Sequence, residues 1–369
     1  MKDLLFRDDK SLIGANWYKL SKKLFIIPFI LSFVGLLAIY SLIGTEYSLI
    51  LLIKHFSYIV ISIFVLIVIT FLTINDLRRL LNLLSILFIL LLCLVPFLGY
   101  EIKGATRWIN LNFFSIQPSE ILKGPIICMF SWFFYLYSKT NKKFYLLINL
   151  FIFMIVVTLL LIQPDIGTLL IYLAGFSLIL ILYLRKIKFF FILGFLGLIF
   201  LILAYFFFEH VNLRIDNFIF SENKNTQVSK SLSAIKEGGL FGVGLGEGQL
   251  KYSIPESHND FIFAILIEEF GIMFGLFIGS LYPIFFVIAK KTSNNFSNLF
   301  IQNTIFSLCF ILCLQAFINI GSTIDLIPPT GMTLPFISYG GSSMLSYALI
   351  FGTVICFSKN EENISNYTS

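Results

Sequence analysis

Long apolar runs separated by short polar breaks dominate the chain. Stretches of about 17 or more apolar residues are long enough to cross a bilayer as helices. Ten such runs lie near residues 24 to 43, 57 to 74, 80 to 99, 120 to 137, 144 to 162, 166 to 184, 189 to 208, 261 to 289, 301 to 322 and 337 to 358. The expected fold is an all-α polytopic membrane protein in which residues 209 to 260 form a large extracytoplasmic loop between helices 7 and 8. A polar tail, residues 1 to 23, precedes the membrane domain of residues 24 to 358, and residues 359 to 369 form a second tail. The first apolar run exceeds the hydrophobic region of a signal peptide, so it is expected to remain as the first span.

With 58% hydrophobic and 12% charged residues, a soluble globular chain is excluded. The five cysteines all fall inside apolar runs, with neither disulfide nor metal-ligand spacing. A net charge of +6 would suggest nucleic acid in a soluble protein; here the distribution of charge matters more, and no nucleic-acid partner is expected. Of 26 Lys and Arg, 17 sit in the N-terminal tail and alternate loops: Lys2, Arg7, Lys10, Lys19, Lys22, Lys23, Arg78, Arg79, Lys139, Lys142, Lys143, Arg185, Lys186, Lys188, Lys290, Lys291 and Lys359. The positive-inside rule then places both termini in the cytoplasm. Every polar motif described below falls on the outward side.

Asp260 stands where a polar loop gives way to an apolar helix, within SIPESHNDFIFAILIEEFGI. Either it caps and charges the helix start, or it belongs to a site at the membrane edge. Glu268 and Glu269 lie two turns deeper in apolar surroundings and are expected to support the cavity near the last, broken helix. Glu120 and Lys123, three apart at a helix entry marked by Pro118 and Ser119, are either a self-satisfied ion pair or groups facing a cavity. Arg107 with Trp108 suits either a site or a membrane interface, and Asp165 in the turn Gln163–Pro164–Asp165 suits a helix cap.

The long loop holds Arg214 and then GGLFGVGLGEGQ, residues 238 to 249, whose glycines lack dinucleotide-binding spacing. They permit tight bends and close backbone approach, with N–H groups available to an anion. Near the C-terminus PPTGMTLPFISYGGSS breaks the apolar pattern at membrane depth, which requires a protein or cavity lining. Ser338 should face the interior, with Gly340 and Gly341 admitting a neighbouring helix or a substrate.

GATRWINL with FSIQPSEILK, QPDIGTLL, GGLFGVGLGEG with PESHNDFIFAILIEEFG, and PFISYGGSS occur in the order of the signature segments of the SEDS family (shape, elongation, division and sporulation), which the chain resembles over nearly its whole length. LRIDNFIF and GLGEGQLKYSIPESHNDF look like the division branch. Thr330 before Gly331, where that branch usually has lysine, looks like the elongation branch. The resemblance implies a peptidoglycan glycosyltransferase that polymerises lipid II on the outer face of the bacterial cytoplasmic membrane. The family's essential aspartate matches Asp260, its loop glutamate and lysine match Glu120 and Lys123, and a further functional aspartate matches Asp165. It also implies a class B penicillin-binding protein, a transpeptidase, as partner, together with other divisome membrane proteins.

Such chemistry asks for a base on the acceptor 4-hydroxyl and positive charge for the departing pyrophosphate. Asp260 suits the first; Lys123, Arg107 and Arg214, in that order, suit the second, and a divalent cation such as magnesium or manganese held by carboxylates would serve as well. The rival readings are an elongation-type polymerase, a lipid II flippase or other transporter, and a non-catalytic scaffold.

Overall fold

A computed structural model describes residues 21–42, 49–102, 105–110, 115–185, 191, 194–195, 197, 205–206, 209–220, 227–294 and 296–359. Its helices are α1 Lys22–Tyr40, α2 Leu49–Phe71, α3 Ile74–Leu98, α4 Pro118–Thr140, α5 Lys143–Ile162, α6 Ile166–Leu184, α7 Glu209–Phe220, α8 Gln227–Gly238, α9 Ile262–Ser293, α10 Leu299–Thr323 and α11 Gly341–Phe357. Eight of these are long and apolar enough to cross a membrane, and α11 is a shorter apolar helix. The expected span at 189 to 208 falls largely outside the described residues.

Two loops carry structure that hydropathy does not show, and one helix boundary needs correction. The loop after α3 folds as an antiparallel sheet of β1 Tyr100–Ile102, β2 Ala105–Asn110 and β3 Ser115–Ile116. The large loop contains α7, α8 and a 3-10 turn at Leu250–Ser253. The last helix starts at Gly341 rather than 337, because the chain turns from Pro335 to Ser338, where the Ser338 hydroxyl accepts the Leu334 amide at 2.8 Å. Hydropathy is blind to these features, since amphipathic helices and short strands carry no long apolar run.

The bundle is organised around α4, which packs against α3, α5, α6, α10 and α11. Pro118 opens α4 at a position needing no N–H, and Asn141 closes it in the left-handed conformation, its amide reaching Tyr137 O at 2.8 Å. Every residue from Pro118 to Ser131 is buried, which a helix with neighbours all round requires. Small residues allow the close approach: a Cβ on Gly124 would lie 3.0 Å from Ile350, and one on Gly175 2.5 Å from Ile127.

Helix α9 is broken at Gly271, whose φ is +86°. A break there removes the bonds that Ile272 and Met273 would give to Glu268 and Glu269. The glycine loop after α8 replaces them. Val243 N donates to Glu268 O and Gly244 N to Glu269 O, both at 3.0 Å, while Ile272 N and Met273 N donate to Gly239 O at 2.9 Å and Leu240 O at 3.3 Å. All four orphaned groups are thus satisfied, as burial demands.

The fit leaves no space for side chains. A Cβ on Gly242, at φ +81°, would sit 2.0 Å from Glu269 O. Gly242→Ala should therefore lower the melting temperature of the detergent-purified protein by several degrees, the strain of a positive φ adding to the clash. An unchanged melting curve would count against the splice. Beyond the break the first part of α9 folds back, since a Cβ on Gly275 would meet Ile267 at 2.8 Å and Phe263 at 3.2 Å. In a straight helix residues eight and twelve apart are separated by about 12 and 18 Å.

Candidate active site

Lys123 is almost fully buried on α4 and places its Nζ 2.6 Å from Glu120 Oε1, one turn away. The same Nζ donates to Gln315 Oε1 of α10 at 3.3 Å. Gln315 Nε2 in turn donates to Thr333 O at 3.3 Å and the Tyr347 hydroxyl at 2.7 Å, which ties the ion pair to the unwound segment before α11. One turn further along α10, Asn319 Nδ2 donates to Asp260 O at 2.9 Å and Met332 O at 2.6 Å. Lys123 and Asp260 are therefore fastened to successive turns of one helix. Neither Gln315 nor Asn319 was expected from sequence, although two amides spaced by four in an apolar helix are the signal that could have found them.

Asp165 caps α6, and the cap reading holds as far as it goes: its Oδ1 accepts Thr168 N at 3.5 Å. It does more than cap. Ser119 Oγ and Gln117 Nε2 donate to Oδ2 at 3.1 and 3.3 Å, and Arg107 Nη1 lies 3.6 Å from Oδ1. Arg107 also donates to the carbonyls of Gln163, at 3.3 Å, and Pro164, so β2 is pinned to the α5–α6 turn. The same cluster joins α11 through Gln117 N, which donates to Ser342 Oγ at 3.0 Å.

The segment Thr330 to Met332 runs between these groups. A Cβ on Gly167, at the start of α6, would lie 3.2 Å from Thr330 O, and one on Gly331 would lie 3.7 Å from Asp260 Oδ2. Arg214 of α7 donates to Pro329 O at 3.3 Å. Part of this side chain reaches solvent, yet the protein around it desolvates the guanidinium and holds its pKa below the ordinary arginine value. The charge of Arg107 pushes in the same direction, and Asp260 and Asp165 push back. Arg107, Asp260 and Asp165 thus all lie near enough to Arg214 to act on its charge.

Ser338 faces the protein interior, as its segment's broken backbone required. It is fully buried, and its hydroxyl donates to Asn259 O at 2.6 Å, while Tyr339 N donates to His258 O at 3.0 Å. The segment therefore clamps the backbone beside Asp260. Gly341 admits a neighbouring helix: a Cβ there would lie 3.1 Å from the Tyr58 ring of α2. The nearest contact of a Cβ on Gly340 would be Ser343 Oγ, within its own helix start.

Glu268 and Glu269 also need correction, because their partners lie in the glycine loop and the 3-10 turn that follows it rather than near the last helix. Glu268 accepts Leu250 N and Lys251 N at 2.8 and 2.9 Å, and Glu269 pairs with Lys251 Nζ at 2.6 Å. The anion met by the loop's N–H groups is the chain's own carboxylate. Among the described residues no group of three or more His, Cys, Asp or Glu side chains is arranged to hold a metal ion.

The sequence profile of the FtsW, RodA and SpoVE family, described as cell cycle protein, matches residues 21–363. The chain is 37% identical over 262 residues to a "Probable peptidoglycan glycosyltransferase FtsW" of Caulobacter vibrioides, covering 71% of this chain and 67% of that protein. It is 31% identical over 293 residues to "Stage V sporulation protein E" of Bacillus subtilis, covering 75% and 76%. Among solved structures, a chain of a peptidoglycan synthase complex that coordinates polymerization and crosslinking superposes with a TM-score of 0.74 at 22% identity, over 95% of this chain and 99% of that one. The rod shape determining protein RodA of Thermus thermophilus gives 0.66 at 23%, over 93% and 98%, and these two likenesses speak to the fold. The resemblance read from the motifs holds: with a profile match along nearly its whole length and spans of matching architecture, the chain is a multi-pass membrane protein of the FtsW/RodA/SpoVE cell cycle family.

Proposed function

We propose that this protein is a peptidoglycan glycosyltransferase that polymerises lipid II at the outer face of the cytoplasmic membrane, for the septal wall in cell division. The observation that carries the reading is the placement of Asp260 at a helix start, in one field with Arg214, Arg107 and Asp165 and held through α10 beside Lys123. Relatives named as FtsW glycosyltransferases support the chemistry and the division role.

Asp260 takes the proton of the acceptor sugar's 4-hydroxyl as that oxygen attacks the anomeric carbon of the donor. The new glycosidic bond forms while the bond from that carbon to phosphate oxygen breaks, and undecaprenyl pyrophosphate departs with the electron pair. Cations fixed in advance stabilise the charge that develops. The exposure of these side chains supports the reverse of the order suggested by the sequence. Arg214 is exposed and Arg107 partly so, whereas Lys123 is sealed in its ion pair, so the arginines meet the pyrophosphate and Lys123 acts from behind.

The basic loops support cytoplasmic termini with the site on the opposite side. The architecture shared with a chain of a peptidoglycan synthase complex supports a transpeptidase partner of the class B penicillin-binding type. Purified full-length protein given lipid II in detergent should yield glycan strands that a muramidase digests. Movement of lipid II across vesicle membranes without any polymer would favour a flippase instead.

A further inference from the structure

Away from the candidate active site the molecule buries a second complete ion pair. Lys251 Nζ lies 2.6 Å from Glu269 Oε1, and both side chains are wholly removed from solvent. Lys251 Nζ also donates to Gly246 O at 3.2 Å, and Gly246 N donates to Glu269 Oε1 at 3.3 Å. Glu268, the adjacent residue, takes the amides of Leu250 and Lys251. Residues 246 to 251 are thereby locked to the stretch of α9 just before Gly271, where the glycine loop also replaces the two missing helix bonds. The pair itself lies on the Asp260 side of Gly271; the same loop reaches the far side through Gly239 O and Leu240 O, which accept Ile272 N and Met273 N, so the loop that the pair anchors is what bridges the bend.

That bend carries Asp260. The folded-back part of α9 runs from Gly271 to Ile262, and Asp260 precedes it by two residues. A buried charge pair is a poor choice for stability alone, because apolar residues of similar volume do as well or better; a fixed geometry is what such a pair can add. We infer that Lys251 and Glu269 are positioning residues that set the angle of the α9 bend and hence the reach of Asp260 toward the acceptor hydroxyl. This inference rests on the polymerase reading above.

The lever is long enough to matter. Nine helical residues span about 14 Å, so a tilt of about 4° at Gly271 moves Asp260 by about 1 Å. Displacements of that size can cost on the order of 100-fold in rate.

The test uses the purified full-length protein with lipid II, reading melting temperature, KM and kcat. Lys251→Met and Glu269→Gln each strand one member of the pair and should lower the melting temperature. The double variant Lys251→Met/Glu269→Leu should recover it to within a few degrees, with KM within about threefold of the parent and kcat at least about tenfold lower. Lys251→Arg keeps the charge in a larger head group; its kcat should fall at least about threefold at unchanged KM and melting temperature, a readout available even if the double variant does not fold. Parental kcat in Lys251→Arg or in a folded double variant overturns the inference, as does a loss confined to KM. Failure of the parent protein to polymerise lipid II overturns the functional reading, and the positioning role falls with it.

Discussion

Asp260→Asn is expected to lower lipid II polymerisation by about 10²- to 10⁴-fold, the range that general-base catalysis supplies. The substitution keeps shape and backbone, so the carbonyl of residue 260 still accepts from Asn319 and the clamp from Ser338 and Tyr339 is unaffected. Melting temperature and KM should therefore stay near the parent values while kcat falls, since the lost interaction acts only as the proton leaves the hydroxyl. Steady-state rates with labelled lipid II, measured beside a thermal unfolding curve, make the comparison. Retention of kcat within about threefold would remove Asp260 as the base and return the reading to a flippase or a scaffold.

Lys123→Met has the second largest expected effect, and it acts on stability and rate together. It leaves Glu120 buried on α4 without its cation and strips Gln315 of a donor. Breaking a buried pair from one side costs roughly 3 to 5 kcal/mol, which should appear as a clear drop in melting temperature. The double variant Lys123→Met/Glu120→Gln removes the stranded charge and should recover most of that stability. If Lys123 backs the arginines at the leaving pyrophosphate, the recovered protein still turns over at least about tenfold below the parent. Recovery of both properties would reduce the pair to packing.

Much of this protein is legible along the chain because the bilayer imposes a local requirement. A run of apolar residues must span, whatever lies around it, so nine of the ten expected spans correspond to helices among the described residues. Two acids, Asp165 and Asp260, stand out for a similar reason: a carboxylate beside an apolar helix is costly wherever it occurs. The order of the glycine- and proline-marked segments carries the family resemblance without reference to any contact.

Partner choice is a different kind of information. Glu269 finds Lys251 from 18 positions away, through the turn before α9, and Lys123 finds Gln315 from 192 positions away. Neither pairing leaves a periodic trace, since each depends on where the chain returns after a turn. Spans, motif order and the acids at the ends of apolar helices were fixed by the amino-acid sequence itself through hydropathy and desolvation. Only the tertiary structure decided that the glycine loop repairs a broken helix, that Glu268 and Glu269 serve that loop, and that α10 joins Asp260 to Lys123, because hydrogen bonds and buried charges are satisfied in space and not along the chain.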